Sequence, residues 1–136
     1  MNRTAQCSCG LLEVEARGEP SAVVVCHCHA CQRRTGSVFG IGAYFPKEQV
    51  TVSGDASSYT RLGESGGNVT TYFCPQCGTT VYWDADKIAG SYGIAVGAFA
   101  EPGFPAPVRS VWEQSKHSWV GLPADIPHFP RGRDSR

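Results

Sequence analysis

The sequence predicts a mainly β protein with few short helical turns, stabilised in part by bound metal. Three observations support this prediction: runs in which apolar and polar residues alternate, 16 Gly and 9 Pro among 136 residues, and 7 Cys. Alternation with a period of two is typical of a strand with one buried face. Frequent Gly and Pro favour turns over long helices. Because seven is an odd number, disulfides alone would leave one cysteine over, so the cysteines indicate metal binding or catalysis.

The predicted elements are short and follow one another closely. Leu12, Val14 and Ala16 alternate with charged residues and predict the first strand, which ends at a Gly-Glu-Pro turn. In chain order, the others are strands over 23–25 and 39–45, a helical turn over 46–49, a strand over 50–52, a glycine-rich loop over 63–67, and strands over 69–73, 79–83, 94–98 and 109–112. The strands at 69–73 and 79–83 enter and leave one cysteine pair, which places that pair at a hairpin tip.

Composition and charge restrict the class of protein. We expect one zinc domain over residues 1–122 and an irregular tail over 123–136. Lys plus Arg equals Asp plus Glu at 12 each, which counts against nucleic acid as a partner. No stretch approaches the roughly 20 apolar residues of a membrane helix, and the first residues do not form a secretory signal. A cytoplasmic location with reduced thiols is therefore expected, and no oligomeric state is predicted.

The most specific motif is Cys74-Pro-Gln-Cys77-Gly. Such a turn directs two thiolates to one side and is typical of a zinc knuckle. A redox pair is the alternative, but that motif normally opens a helix, and β-forming residues follow here. Structural zinc takes four ligands, and Cys7 and Cys9 can supply the other two. Two unliganded thiols are the alternative for Cys7 and Cys9.

Three cysteines remain, namely Cys26, Cys28 and Cys31. Catalytic Zn²⁺ typically has three protein ligands and one open position, so these three predict a second, open zinc site held by a single loop. Three thiolates make that ion a weak Lewis acid toward water, but soft sulfur ligands still favour an incoming thiol. The alternative is a closed structural site, completed by a histidine. The candidates for that histidine are His27, His29 and His117.

Other residues near the three-cysteine motif are candidates for binding or proton transfer. His27, His29 and His117 are the candidate proton donors. Arg33 and Arg34 follow the motif directly and could bind carboxylates, or simply form a solvated basic surface. Two tryptophans, Trp112 and Trp119, could line a pocket, or be buried in the core.

The segment from Cys26 to Gly36, Cys-His-Cys-x-x-Cys-Gln-Arg-x-x-Gly, resembles the signature of the glutathione-dependent formaldehyde-activating enzyme family, which also includes centromere protein V. The resemblance extends over about residues 5 to 120, through Phe73-Cys74-x-x-Cys77-Gly and the later Val-Gly-Ala-Phe at 96–99. It implies a mostly antiparallel zinc β-tent fold. It also implies a structural zinc on Cys7, Cys9, Cys74 and Cys77, and a catalytic zinc on Cys26, Cys28 and Cys31.

The resemblance further implies a carbon–sulfur lyase that promotes addition of a thiol such as glutathione to a small aldehyde such as formaldehyde. Its partners would be those small molecules. Two other hypotheses come from different classes. One is a non-catalytic zinc module that binds protein or nucleic acid, for which the arginines of the tail provide a small basic patch. The other is a thiol redox or metal-handling protein.

Overall fold

The computed structural model describes residues 1–135, which form ten short strands, one helix and four 3₁₀ turns. The strands are β1 (Asn2–Gln6), β2 (Glu13–Arg17), β3 (Ala22–Cys26), β4 (Gly40–Pro46), β5 (Val50–Ser53), β6 (Ser57–Leu62), β7 (Asn68–Phe73), β8 (Thr80–Ala85), β9 (Ser91–Ala95) and β10 (Arg109–Val111). The helix α1 spans His29–Thr35, and the 3₁₀ turns are Lys47–Gln49, Asp86–Ile88, Val96–Phe99 and Glu113–Ser115. The mainly β fold with few short helical turns is therefore confirmed.

The strands form two sheets. The small sheet has the order β1-β2-β5, and the large sheet has the order β10-β3-β4-β9-β8-β7-β6. Neighbouring strands are antiparallel except β10 and β3, which run parallel with Arg109 opposite Val24. None of the helices within residues 1–135 is long and apolar enough to cross a membrane.

The two faces of the large sheet have different environments. One face packs against the small sheet, so that Val14 and Ala16 of β2, together with Leu12 just before it, are fully buried in one cluster with Phe45 and Ile94. The alternate positions of the large sheet face an open cleft instead. On β3 these are Ala22, Val24 and Cys26, and on β4 they include Gly42 and Tyr44. The period-two alternation thus separates the core from the cleft.

Several elements differ from the sequence prediction. β1 and β6 were not predicted, because β1 contributes few apolar residues and β6 is a largely exposed edge strand. The strand expected over 94–98 ends at Ala95, where the chain enters the 3₁₀ turn Val96–Phe99. The helix α1 was also missed, since its seven residues are too few for a helical period to show.

The tail packs along the outer edge of β10. Ser110 donates its N–H to the Pro127 carbonyl (3.0 Å), and Phe129 donates to the Ser110 carbonyl (3.0 Å). Trp112 donates in the same way to the Arg131 carbonyl (2.8 Å). A single parallel bridge joins Ser110 to His128. The tail has almost no regular structure, but these backbone contacts fix its course over residues 127–131.

Candidate metal centres

Four cysteine sulfurs meet where the two sheets touch. Cys7 and Cys9 lie in the turn after β1, and Cys74 and Cys77 lie at the tip of the β7–β8 hairpin. All four sulfurs lie within 4.8 Å of one another. The Cys9 sulfur is 3.7 Å from that of Cys7 and 3.6 Å from that of Cys74. Tetrahedral zinc with Zn–S bonds of about 2.3 Å requires sulfurs roughly 3.8 Å apart, so this four-cysteine cluster fits such an ion.

Backbone N–H groups support thiolates in this cluster. Leu12 N–H points at the Cys7 sulfur (3.2 Å), and Gln76 N–H points at the Cys74 sulfur (3.3 Å). Gly78 adopts a positive φ of 79°, which allows its N–H to bond the Cys74 carbonyl (2.9 Å) and closes the knuckle. Hydrogen bonds from the Thr79 side chain and backbone lower the pKa of Cys77 to about 5. Thiolate is the form that binds metal.

The other three cysteines form a second cluster at the junction of β3 and α1. Cys26 ends β3, Cys28 is the N-cap of α1, and Cys31 lies in its first turn. Their sulfurs also lie within 4.8 Å of one another. Within residues 1–135 no histidine, aspartate or glutamate joins this group. The cluster is therefore a three-ligand set that could hold a metal ion with one position open. The expectation that a single loop would supply all three ligands is wrong, because Cys26 comes from the end of a strand and the other two cysteines from the start of a helix.

The thiols of this three-cysteine cluster interact strongly. Hydrogen bonds from Cys26 and Cys31 lower the pKa of Cys28 to about 2, and the nearby Arg61 charge adds to this effect. Hydrogen bonding to Cys28 raises the pKa of Cys26, with burial adding to it. A divalent cation that binds all three sulfurs as thiolates would replace these contacts between the thiols.

The three-cysteine cluster opens into a cleft of about 1100 Å³ on the free face of the large sheet. This volume suits a ligand of several residues. Its charged lining is strongly basic although the chain has no net charge. The basic residues are Arg33, Arg34, Arg61, Lys87, Arg109 and Arg133, and the one acidic residue in the lining is Glu64. Glu64 is paired with Arg61 at 2.9 Å.

Trp83 covers the floor of the cleft. A Cβ atom at Gly42 would lie 2.7 Å from the indole, and one at Gly93 would lie 2.1 Å from it, so glycine is required beneath the ring. The Arg34 guanidinium stacks over the indole at 4.6 Å from its centroid. The ring of Tyr44 meets the indole edge to face at 6.3 Å. These contacts fix Arg34 and Tyr44 in the cleft.

The three histidines predicted to transfer protons lie in different surroundings. His27 is fully buried, with Nε2 2.9 Å from the Ser110 hydroxyl and Nδ1 without a partner among the described residues. His29 is exposed at the start of α1. His117 is exposed, with Nε2 3.3 Å from Gln32 Oε1. None of the three is among the residues that line the cleft.

The predicted substrate-binding residues divide in a similar way. Arg33, Arg34 and Trp112 line the cleft, whereas Trp119 is 74% exposed and lies outside it. The cleft is also lined by four residues that were not predicted from the sequence, namely Trp83, Tyr44, Arg61 and Arg109. An alternation signal could have placed Tyr44 opposite the core residues Ala43 and Phe45, but no local signal indicates that β6 brings Arg61 close to Cys28.

The chain is thus a small two-sheet β protein in which a four-cysteine cluster and a three-cysteine cluster in a basic cleft could each hold a metal ion. The family model for glutathione-dependent formaldehyde-activating enzyme matches residues 2–115. The chain belongs to this family.

Curated relatives carry the name of the same family at low identity. A protein of Fusarium vanettenii is 28% identical over 117 residues, which cover 80% of this chain. One of Podospora anserina is 29% identical over 65% of the chain, and one of Penicillium rubens is 24% identical over 82%. The chain spans 62%, 45% and 62% of the lengths of these relatives.

A crystal structure of a Rhodobacter sphaeroides protein has a similar fold. The TM-score is 0.56 at 17% sequence identity, and the match covers 92% of this chain and 98% of the other. At that identity the likeness concerns the fold alone.

Proposed function

We propose that this protein promotes the addition of a thiol such as glutathione to a small aldehyde such as formaldehyde, a carbon–sulfur lyase-type reaction. The observation that carries this proposal is the open three-cysteine cluster at the base of a basic cleft. The names of the relatives support the choice of substrates. The thiol's S–H bond breaks, a C–S bond forms at the aldehyde carbon, and the proton ends on the former carbonyl oxygen.

Zn²⁺ is the ion that best suits both cysteine sets, because all seven donors are soft thiolates. Cys7, Cys9, Cys74 and Cys77 would hold it as a structural ion. At Cys26, Cys28 and Cys31 it would bind the incoming thiol and so raise the fraction present as thiolate at neutral pH. Further catalysis then depends on how the cleft orients the two substrates.

The arginines of the cleft suit the carboxylates of glutathione. Arg34 is held over Trp83, so that its guanidinium is already oriented for a planar anion. Arg109 lies opposite Val24 on the strand next to β3, which places its Cα roughly 8 Å from that of Cys26 by strand spacing. Both side chains can therefore reach a ligand whose sulfur lies at the three-cysteine cluster.

Tyr44 is a candidate donor for the oxygen of the aldehyde, since it lines the cleft beside the three-cysteine cluster. Its ring lies next to Gly42, where a Cβ atom would be 3.3 Å from Tyr44 Cε2, and Tyr44 lines the same cleft as Cys26 and Cys31. Burial raises the pKa of Tyr44 to about 12, although a hydrogen bond with Trp83 acts in the opposite direction. The hydroxyl thus stays protonated and can donate a hydrogen bond to the alkoxide as it forms.

The test measures zinc content and turnover together. We expect wild-type protein to hold two zinc ions per chain and to form S-hydroxymethylglutathione faster than the spontaneous reaction, as followed by NMR. Cys28→Ser should keep one zinc and the folded circular dichroism spectrum while its rate falls to the spontaneous value. A wild-type protein with two zinc ions and no rate above the spontaneous one would show that the proposal is wrong.

A further inference from the structure

The C-terminal segment over residues 127–133, here called the strap, connects opposite edges of the large sheet. Its first part runs along β10, with Phe129 bonded to Ser110. A Cβ atom at Gly132 would lie 3.3 Å from the Ser65 hydroxyl, in the loop between β6 and β7. β10 and β6 are the two outermost strands of that sheet. The strap therefore bridges the mouth of the cleft.

Tertiary contacts hold the strap in this position. His128 Nδ1 lies 2.6 Å from Glu113, and His128 Nε2 lies 3.0 Å from the Pro123 carbonyl. Arg131 donates its N–H to the Ser135 hydroxyl (2.9 Å), which in turn bonds the Gly132 carbonyl. The course of the backbone next to Arg133 is thus fixed from both sides.

Two arginines of the strap have different positions. Arg133 lines the cleft, and within residues 1–135 it has no carboxylate within ion-pair distance. Arg131 is exposed, as Arg133 is, but it is not among the lining residues. Both lie beyond residue 115, where the match to the family model ends.

We propose that the strap is a substrate-binding element in which Arg133 binds a carboxylate of the thiol whose sulfur lies at the three-cysteine cluster. This inference rests on the proposed function. It restricts the substrate class to thiols that carry a carboxylate at a distance from the sulfur. A guanidinium at the mouth of the cleft forms strong hydrogen bonds with such a carboxylate, and a thiol that has no carboxylate cannot form them. Glutathione satisfies the condition and cysteamine does not.

The experiment measures binding to the full-length, zinc-loaded protein by calorimetry. The probes are glutathione, cysteamine and S-methylglutathione, which keeps both carboxylates but has no thiol to bind metal. The variants are Arg133→Glu and, as a matched control with the same change in net charge, Arg131→Glu. We expect Arg133→Glu to weaken glutathione and S-methylglutathione binding at least about tenfold, while cysteamine binding does not weaken. Arg131→Glu should leave all three affinities within about twofold of wild type.

Two outcomes overturn the inference. One is that both variants weaken binding equally, which would indicate only the general field of the cleft. The other is that S-methylglutathione does not bind the wild type or binds Arg133→Glu as tightly as the wild type. If S-methylglutathione binds in the expected manner and the wild type nevertheless gives no turnover, the strap inference stands and the proposed reaction is wrong.

Discussion

At the scale of single residues, the cleft depends on places where a side chain is missing. Gly42 and Gly93 leave room for the Trp83 indole to lie on the sheet. Gly40 leaves room for the Arg34 guanidinium, since a Cβ atom at Gly40 would lie 2.6 Å from Arg34 Nη2. Arg34 in turn stacks on the indole. One tryptophan thus needs glycine on two different strands, and it positions an arginine from the helix.

We therefore expect Gly42→Ala to disturb the cleft. The new Cβ would lie 2.7 Å from the indole, which cannot move toward Gly93. Overpacking of this kind costs roughly 1–3 kcal/mol. The measurement is urea unfolding, followed by tryptophan fluorescence, which should also show an altered native-state spectrum. Gly97→Ala is the control, because within residues 1–135 no heavy atom outside the adjoining backbone lies within 4 Å of its Cβ position. Equal stability of the two variants would contradict the packing described here.

At the scale of elements, the side-chain pair of Glu113 and His128 adds to the backbone hydrogen bonds that hold the strap against the fold. The Glu113 hydrogen bond raises the pKa of His128 above its ordinary 6.5. Burial alone would raise the pKa of Glu113, but hydrogen bonds from Ser110 and His128 outweigh this and lower it below 4.5. A raised histidine pKa stabilises the folded state at pH values below 6.5, and this stabilisation is lost as pH rises through the folded value. The lowered pKa of Glu113 stabilises the folded state at pH values above 4.5. This stabilisation is lost as the pH falls through the pKa that Glu113 has in the folded protein.

The pair should therefore stabilise the fold most between about pH 4.5 and 6.5. We expect the difference in unfolding free energy between the wild type and His128→Gln to be largest near pH 6 and to shrink toward pH 8. Urea unfolding of both proteins at several pH values measures this difference. The pH dependence of metal binding is common to both proteins and cancels. A difference that stays constant from pH 6 to 8 would show that His128 is not charged in the fold.

At the scale of the whole molecule, the four-cysteine cluster joins the two sheets. Cys9 and Cys74 are separated by 65 residues in the chain, yet their sulfurs lie 3.6 Å apart. The three-cysteine cluster, in contrast, draws its ligands from six consecutive positions at one strand–helix junction. Loss of metal from the four-cysteine cluster would therefore remove a link between distant parts of the fold. Loss of metal from the three-cysteine cluster would affect only the junction of β3 and α1.

This contrast predicts two different effects of metal loss. Cys74→Ser should lower the melting temperature strongly and make the protein sensitive to proteolysis, because the proposed structural zinc contributes folding free energy directly. Cys28→Ser should shift the melting temperature by a few degrees at most. Differential scanning calorimetry with a zinc count on each variant tests both. Similar melting temperatures for the two variants would mean that the four-cysteine cluster is not the one that stabilises the fold.

The sequence was informative wherever the relevant signal is local. Alternation along β2 and β4, the β-forming residues of β7, the turn residues around Cys74–Cys77 and the three cysteine groups each lie within a few positions of the chain. The seven cysteines do divide into four and three, as their number and spacing predicted. β6 could not be found in this way, because its stability comes from pairing with β7 rather than from an apolar face of its own.

The sequence alone thus determined the fold class and the two sets of candidate ligands, because thiol spacing and strand period are short-range properties. Only the tertiary structure decided what faces the open cluster. In the tertiary structure, His27 is buried against Ser110, and Trp83 lies on Gly42 and Gly93. Arg61, from the outermost strand of the sheet, and Arg133 both line the same cleft as Cys28. These contacts join residues far apart in the chain, and they depend on the order of the strands in the large sheet and on the segments that cover its edges.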